Sequence, residues 1–203
     1  AVEAAGGKAI AVKGSVVNEA DLTALFDRAT EAFESIDGLV NNAGILAKAM
    51  PFADMTADRL KSLVEVNVYG AYLAVAEGIR RMATGRGGKG GSIVNLSSAA
   101  AKLGAPNEFV DYAGTKAAME ALTLGLSKEL GPDGIRVNAV RPGLIETDIH
   151  ADGGSPDRAQ RLGANVPLGR AGTAEEVGEA IVWLLSDESS YVSGAIVDVT
   201  GGR

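Results

Sequence analysis

The chain has 203 residues, 46% hydrophobic and 22% charged, the balance of one folded domain with a single core. Its formal charge of −7 disfavours nucleic acid and anionic membrane as partners, because an acidic surface repels phosphate. The absence of cysteine and the single histidine, His150, exclude disulfides, thiolate metal sites and histidine-rich metal clusters. No apolar run approaches the ~18 residues of a membrane span. The opening Ala1-Val2-Glu3-Ala4-Ala5-Gly6-Gly7 lacks the basic and apolar regions of a secretion signal, so cytoplasm is the default location.

Residues 2–7 read as a helix ending at glycine. Residues 8–17, with Ala9-Ile10-Ala11-Val12, read as strand-like. Asn18 then caps a helix whose Leu22, Leu25, Phe26, Ala29 and Phe33 share one face by their spacing of three and four. Gly38-Leu39-Val40 reads as a short buried strand that runs into Asn41-Asn42-Ala43-Gly44. A long helix is predicted over 56–82, then a glycine-rich turn over 85–91 and a strand over 92–97. A helix over 112–130 stops at Gly131-Pro132-Asp133-Gly134, and residues 135–140 form the next strand. The stretch 146–166 is polar and irregular, as a lid or binding loop would be. Thr173 and Glu176 make a capping box ahead of the stripe Val177, Ile181, Leu184 and Leu185. Residues 195–199 form the last strand. Strands alternating with helices predict one α/β domain over 1–203, a mostly parallel sheet covered on both faces. No repeat or linker divides it.

A doubly wound dinucleotide-binding fold opens with a strand, a glycine-rich turn and a helix, and no G-x-G-x-x-G occurs here. The turn Gly85-Arg86-Gly87-Gly88-Lys89-Gly90-Gly91 does not match a P-loop and precedes a strand, so it reads as a connection. The chemistry-bearing residues lie further along. Tyr112 and Lys116, four apart on a predicted helix, stack on one face. An ammonium beside a phenol favours phenolate and makes the pair a general acid/base. Ser97 and Ser98 follow a buried strand, where parallel sheets bind ligands. Asn41-Asn42-Ala43-Gly44 and Arg141-Pro142-Gly143-Leu144-Ile145-Glu146-Thr147 also follow strands. Asn67 sits mid-helix among apolar residues, where a buried amide needs partners, structural or functional. Taken singly, each has an ordinary reading as a surface pair, a turn or a cap.

Taken together, in order and near the expected spacing, Asn41-Asn42-Ala43-Gly44, Asn67, Ser98, Tyr112-x-x-x-Lys116 and Pro142-Gly143 with Ile145 and Thr147 resemble the short-chain dehydrogenase/reductase family. The resemblance spans the whole chain. It implies a seven-stranded Rossmann-like sheet and an NAD or NADP cofactor. The activity implied is hydride exchange with a small alcohol, sugar or ketone. Tyr112 is implied as the acid/base and Lys116 as the group that binds the nicotinamide ribose and depresses the tyrosine pKa. Ser98 is implied to steady the substrate oxygen, with Ser97 as the alternative, and Asn67 to hold a water in a proton relay. Asn41, Ala43 and Gly44 are implied beside the adenosine-side ribose, and Val16 near the adenine. Pro142, Gly143, Ile145 and Thr147 are implied at the nicotinamide end. Ser15 stands where many members carry an aspartate, and the Ser98–Tyr112 stretch is one residue longer than usual.

The resemblance also implies the family's opening strand-turn-helix-strand, roughly 40 to 50 residues, upstream of this sequence. It further implies a homo-oligomer, a tetramer or dimer, through two long central helices and the last strand. A catalytically silent binding or scaffold subunit is the alternative reading.

Overall fold

The computed structural model describes residues 2–203. Its sheet has four strands, β1 (Gly38–Asn41), β2 (Gly91–Leu96), β3 (Ile135–Pro142) and β4 (Ile196–Val199), all parallel and in the order β1-β2-β3-β4. Parallel neighbours require crossovers, and helices supply them. Between β1 and β2 lie α2 (Ala57–Val64), a π-helical turn (Glu65–Gly70) and α3 (Ala71–Met82). Between β2 and β3 lie α4 (Ala99–Leu103) and α5 (Val110–Glu129). Between β3 and β4 lie α6 (Ile149–Asp152), α7 (Arg158–Gly163) and α8 (Ala174–Leu185), while α1 (Glu19–Phe33) precedes β1.

The two central strands are buried on both faces, and the period of two sorts their side chains. Ile93, Ile135 and Val137 pack with Val75 and Met82 of α3 and Leu122 and Leu126 of α5. Val94, Leu96 and Val140 point the other way, onto Val177, Ile181 and Leu184 of α8. The predicted caps are present: Asn18 Oδ1 accepts from the amides of Ala20 and Asp21, and Thr173 and Glu176 close a capping box at α8.

Four expectations are corrected. Residues 8–17 form no strand, because no backbone neighbour offers a ladder: the sheet ends at β1. The segment is held instead by Asp21, which accepts from the Ser15 amide, and by Val16 against Gly70, where a Cβ would lie 2.8 Å from Val16 Cγ2. The described sheet therefore has four of the five strands predicted along this sequence. The helix over 56–82 is interrupted by the π turn, which carries Asn67. The stretch 146–166 is not structureless, since it contains α6 and α7.

Candidate functional site

The carboxyl ends of β1, β2 and β3 open onto a cleft of about 730 Å³, walled by the loops that follow each strand and by α5, α6 and α7. Strand ends create it for a simple reason: the backbone ladder stops there, and successive chains diverge to enter their crossovers.

At the end of β2, Ser97 and Ser98 separate in role. The Ser97 side chain is buried, donates to Glu120 Oε1 at 2.6 Å and lies 3.2 Å from the Lys116 carbonyl oxygen. Its valence is spent on the scaffold. Ser98 caps α4, with Oγ accepting from the Ala100 amide at 3.1 Å, and its hydroxyl lies beside the phenol of Tyr112. Both serines border the cleft, but it is Ser98 that meets the phenol.

Tyr112 lies in the first turn of α5 and Lys116 one turn later. The Lys116 ammonium sits 5.6 Å from the centre of the Tyr112 ring and donates to the Leu96 carbonyl at 2.8 Å. Burial pushes the Tyr112 phenol up to about 12, with the neighbouring Ser98 hydroxyl pulling the other way. The same burial pushes Lys116 down to about 8. The phenol thus moves opposite to the direction expected from Lys116. Desolvation penalises both charged forms, and Lys116 is not among the groups that offset this cost for the phenolate.

Asn67 is 1% exposed and takes both polar atoms of one residue: Oδ1 accepts from the Ile45 amide at 2.7 Å and Nδ2 donates to the Ile45 carbonyl at 2.9 Å. It imitates a neighbouring strand and so holds the loop after β1. Its Nδ2 also donates to Thr115 Oγ1, whose hydroxyl in turn donates to the Tyr112 carbonyl. A π turn widens the helix where this amide leaves it, a placement that recurs at functional sites. Gly44 closes against the same group: a Cβ there would stand 3.3 Å from Asn67 Oδ1 and 3.4 Å from Lys116 Nζ.

At the end of β3, the Gly143 amide donates to the Val199 carbonyl, and a Cβ on Gly143 would stand 2.7 Å from Thr200 Cα. Only glycine permits that approach. Ile145 then bridges to Gly172, and Pro142, Gly143, Ile145 and Thr147 all face the cleft.

The structure therefore brings Gly44, Ser98, Tyr112, Lys116, Pro142, Gly143, Ile145 and Thr147 to one cleft. Asn67, Asn41, Ala43 and Val16 are not among the residues that line it. Asn41 is a scaffold residue here, donating through Nδ2 to the Ala71 carbonyl and to Asn95 Oδ1, while Asn42 faces the cleft. Sequence reasoning assigned no role to Glu108 and Arg158. Arg158 grips Glu108 with two hydrogen bonds, of 2.9 and 2.6 Å, and lies 5.4 Å from the centre of the Phe109 ring. That hydrogen bond is the first cause holding the Glu108 carboxyl below its usual range, ahead of the opposing desolvation. The pair ties α7 to the loop before α5. Fifty positions separate its members, and no local pattern announces such a contact.

Comparison with known proteins points the same way. Residues 1–203 match the family described as Enoyl-(Acyl carrier protein) reductase. The chain is 48% identical to "Uncharacterized oxidoreductase YgfF" of Escherichia coli (strain K12), over 98% of this chain and 81% of that protein. It is 39% identical to the L-rhamnose 1-dehydrogenase (NAD(P)(+)) of Sphingomonas sp. (strain SKA58), over 99% of this chain and 78% of that protein. Among solved structures, the 3-ketoacyl-(acyl-carrier-protein) reductase from Brucella melitensis complexed with NADH aligns with a TM-score of 0.90 at 32% identity, covering 97% of this chain and 80% of that one. An NAD+-bound xylitol dehydrogenase aligns at 0.86 and 31% identity, with the same coverage.

Proposed function

Because this chain belongs to the short-chain dehydrogenase/reductase family, we propose that it is an NAD(P)-dependent oxidoreductase acting on a small alcohol, sugar or ketone. The observation that carries the reading is the convergence of Ser98, Tyr112 and Lys116 on one cleft at the strand ends.

The residues present fit a nicotinamide. Gly44 leaves open the space beside Lys116 Nζ that a side chain would fill, and Pro142, Gly143, Ile145 and Thr147 offer backbone and small apolar surface across the cleft. Bound there, the dinucleotide supplies the two-electron donor or acceptor that no side chain of this protein provides. The protein's own part is proton transfer and orientation. Tyr112, beside Ser98 and Lys116 at the cleft, is the group placed to exchange a proton with the substrate oxygen. Ser98 directs that oxygen toward the phenol. Lys116, anchored on the Leu96 carbonyl, presents its ammonium to the face of the same ring and toward a ribose hydroxyl.

The relatives named as sugar and alcohol dehydrogenases support a polyol, sugar or related ketone as substrate. No helix among the described residues is long and apolar enough to cross a membrane. A cytoplasmic homo-oligomer completes the reading. Val182 is 62% exposed and Tyr191 fully so, which gives the outer side of α8 and the approach to β4 an apolar face for a second copy.

The test is a screen of alcohols, sugars and ketones with NAD(H) and NADP(H), following nicotinamide absorbance. We expect turnover that disappears in Tyr112→Phe. Cofactor binding without turnover of any substrate favours the scaffold reading instead, and light scattering decides the assembly.

A further inference from the structure

Arg59, on α2, lies outside the cleft lining, yet it joins two of the cleft's walls. Its guanidinium grips Asp111 through two bonds, Nε to Oδ2 at 2.7 Å and Nη2 to Oδ1 at 3.2 Å. The side chains are only 10% and 3% exposed. Its remaining nitrogen, Nη1, donates to the Lys48 carbonyl. One planar fork thus holds the start of α5 and the loop after β1.

Both partners are next to the chemistry. Asp111 immediately precedes Tyr112, and its Oδ1 accepts the Tyr112 amide at 2.9 Å. Phe109, at the N-cap position of α5, offers no side-chain acceptor, so the Asp111 carboxylate does the capping from within the first turn. Lys48 belongs to the loop that carries Gly44 and Leu46 into the cleft. That loop is tied at Ile45 by Asn67, at Lys48 by Arg59, at Ala49 by the Gly153 carbonyl and at Met50 by the Glu108 carbonyl. Arg59 reaches the tyrosine's own amide through Asp111, as Asn67 reaches its carbonyl through Thr115, and Arg59 does so with a buried charged fork.

A buried ion pair is a poor source of stability, since desolvation offsets most of the attraction. Its geometric value is larger. A fork fixes two groups in one plane, which a lysine cannot do. A misplacement of ~1 Å at a reacting group costs on the order of 100-fold in rate.

We infer that Arg59 is a positioning residue that, through Asp111 and the Lys48 carbonyl, fixes Tyr112 and the Gly44–Leu46 wall relative to one another. The inference rests on Tyr112 being the acid/base.

The informative variant is the double substitution Arg59→Met with Asp111→Asn. It removes both charges together, keeps an oxygen for the Tyr112 amide, and so avoids an unpaired buried carboxylate. We expect its thermal midpoint to stay near that of the wild type. We expect kcat to fall about 10- to 100-fold with KM for the cofactor little changed, and Arg59→Lys alone to fall in between. Amide hydrogen exchange should rise in 45–50 and 110–116 together and stay unchanged in 135–140. Unchanged exchange in those two segments overturns the clamp. Raised exchange with wild-type kcat overturns the positioning role. If the wild-type chain shows no turnover the oxidoreductase reading fails, and if Tyr112→Phe keeps turnover the acid/base assignment fails, while the exchange experiment still decides the clamp.

Discussion

The two edges of the sheet are built from similar residues and put to opposite uses. At the amino-terminal edge, the turn over 85–91 is as glycine-rich as any phosphate loop. Most of its glycines, however, are packed against their own protein: a Cβ on Gly91 would stand 2.3 Å from the Asp37 carbonyl oxygen, and one on Gly90 2.5 Å from that of Gly134, with Gly87 alone in open space. Arg136, near the same edge, donates to the carbonyls of Leu184, Ser186 and Val192 and to Ser189 Oγ. Most of this edge is closed inward. At the carboxyl edge, Gly44, Ser98 and Tyr112 face a cleft. Residue type does not separate structural from functional glycine or serine; what the neighbouring backbone leaves open does.

The contrast can be broken by substitution. Tyr112→Phe should lower kcat about 100- to 10,000-fold, roughly 3 to 5 kcal/mol of barrier, with denaturant stability little changed. Loss of folding together with activity would remove the distinction at this edge. Gly91→Ala, at φ 148, should destabilise by about 3 kcal/mol or more in urea melts and leave kcat per folded molecule intact. A Gly91→Ala protein as stable as wild type would show that the amino edge is not closed. The buried amino group of Lys116 allows a third test, by pH. Its folded pKa, about 8, lies below the ordinary 10.5. The charged form is therefore penalised on folding, fully below pH 8, and the penalty is relieved as pH rises from 8 to 10.5. Lys116→Met should accordingly gain on wild type by up to about 3 kcal/mol at pH 7 and lose that gain near pH 10.5, in paired denaturant titrations. A gain that does not vary with pH would mean that Lys116 is not desolvated. The smallest effects separate adjacent serines. Ser97→Ala should cost about 1 kcal/mol of stability by leaving Glu120 one donor short, with kcat within a few-fold. Ser98→Ala should lower kcat about 10-fold or more, with about 1 kcal/mol of stability lost through the missing cap on α4. Equal kinetic losses at the two positions would undo the division of roles drawn from their hydrogen bonds.

The sequence by itself determined the element order, the placement of most helices and strands, and the group of residues after each strand. These follow from local periodicity, capping residues and the breaks that proline and glycine impose, all legible within a few positions. Tertiary structure decided the rest. Residues 8–17 have the composition of a strand, but a strand exists only beside another, and no neighbour pairs with them. Nothing local distinguishes Ser97 from Ser98, or Asn41 from Asn42; the choice depends on Glu120, Ala71 and Asn95, which arrive from other elements. The Tyr112–Lys116 pair was legible as a spacing, whereas the direction in which burial moves each group was not, because desolvation is a property of everything packed around the pair. The opposite use of the two edges is decided in the same way. Glycine gives the chain freedom to approach closely at either edge, and only the assembled fold determines whether backbone or open space lies there.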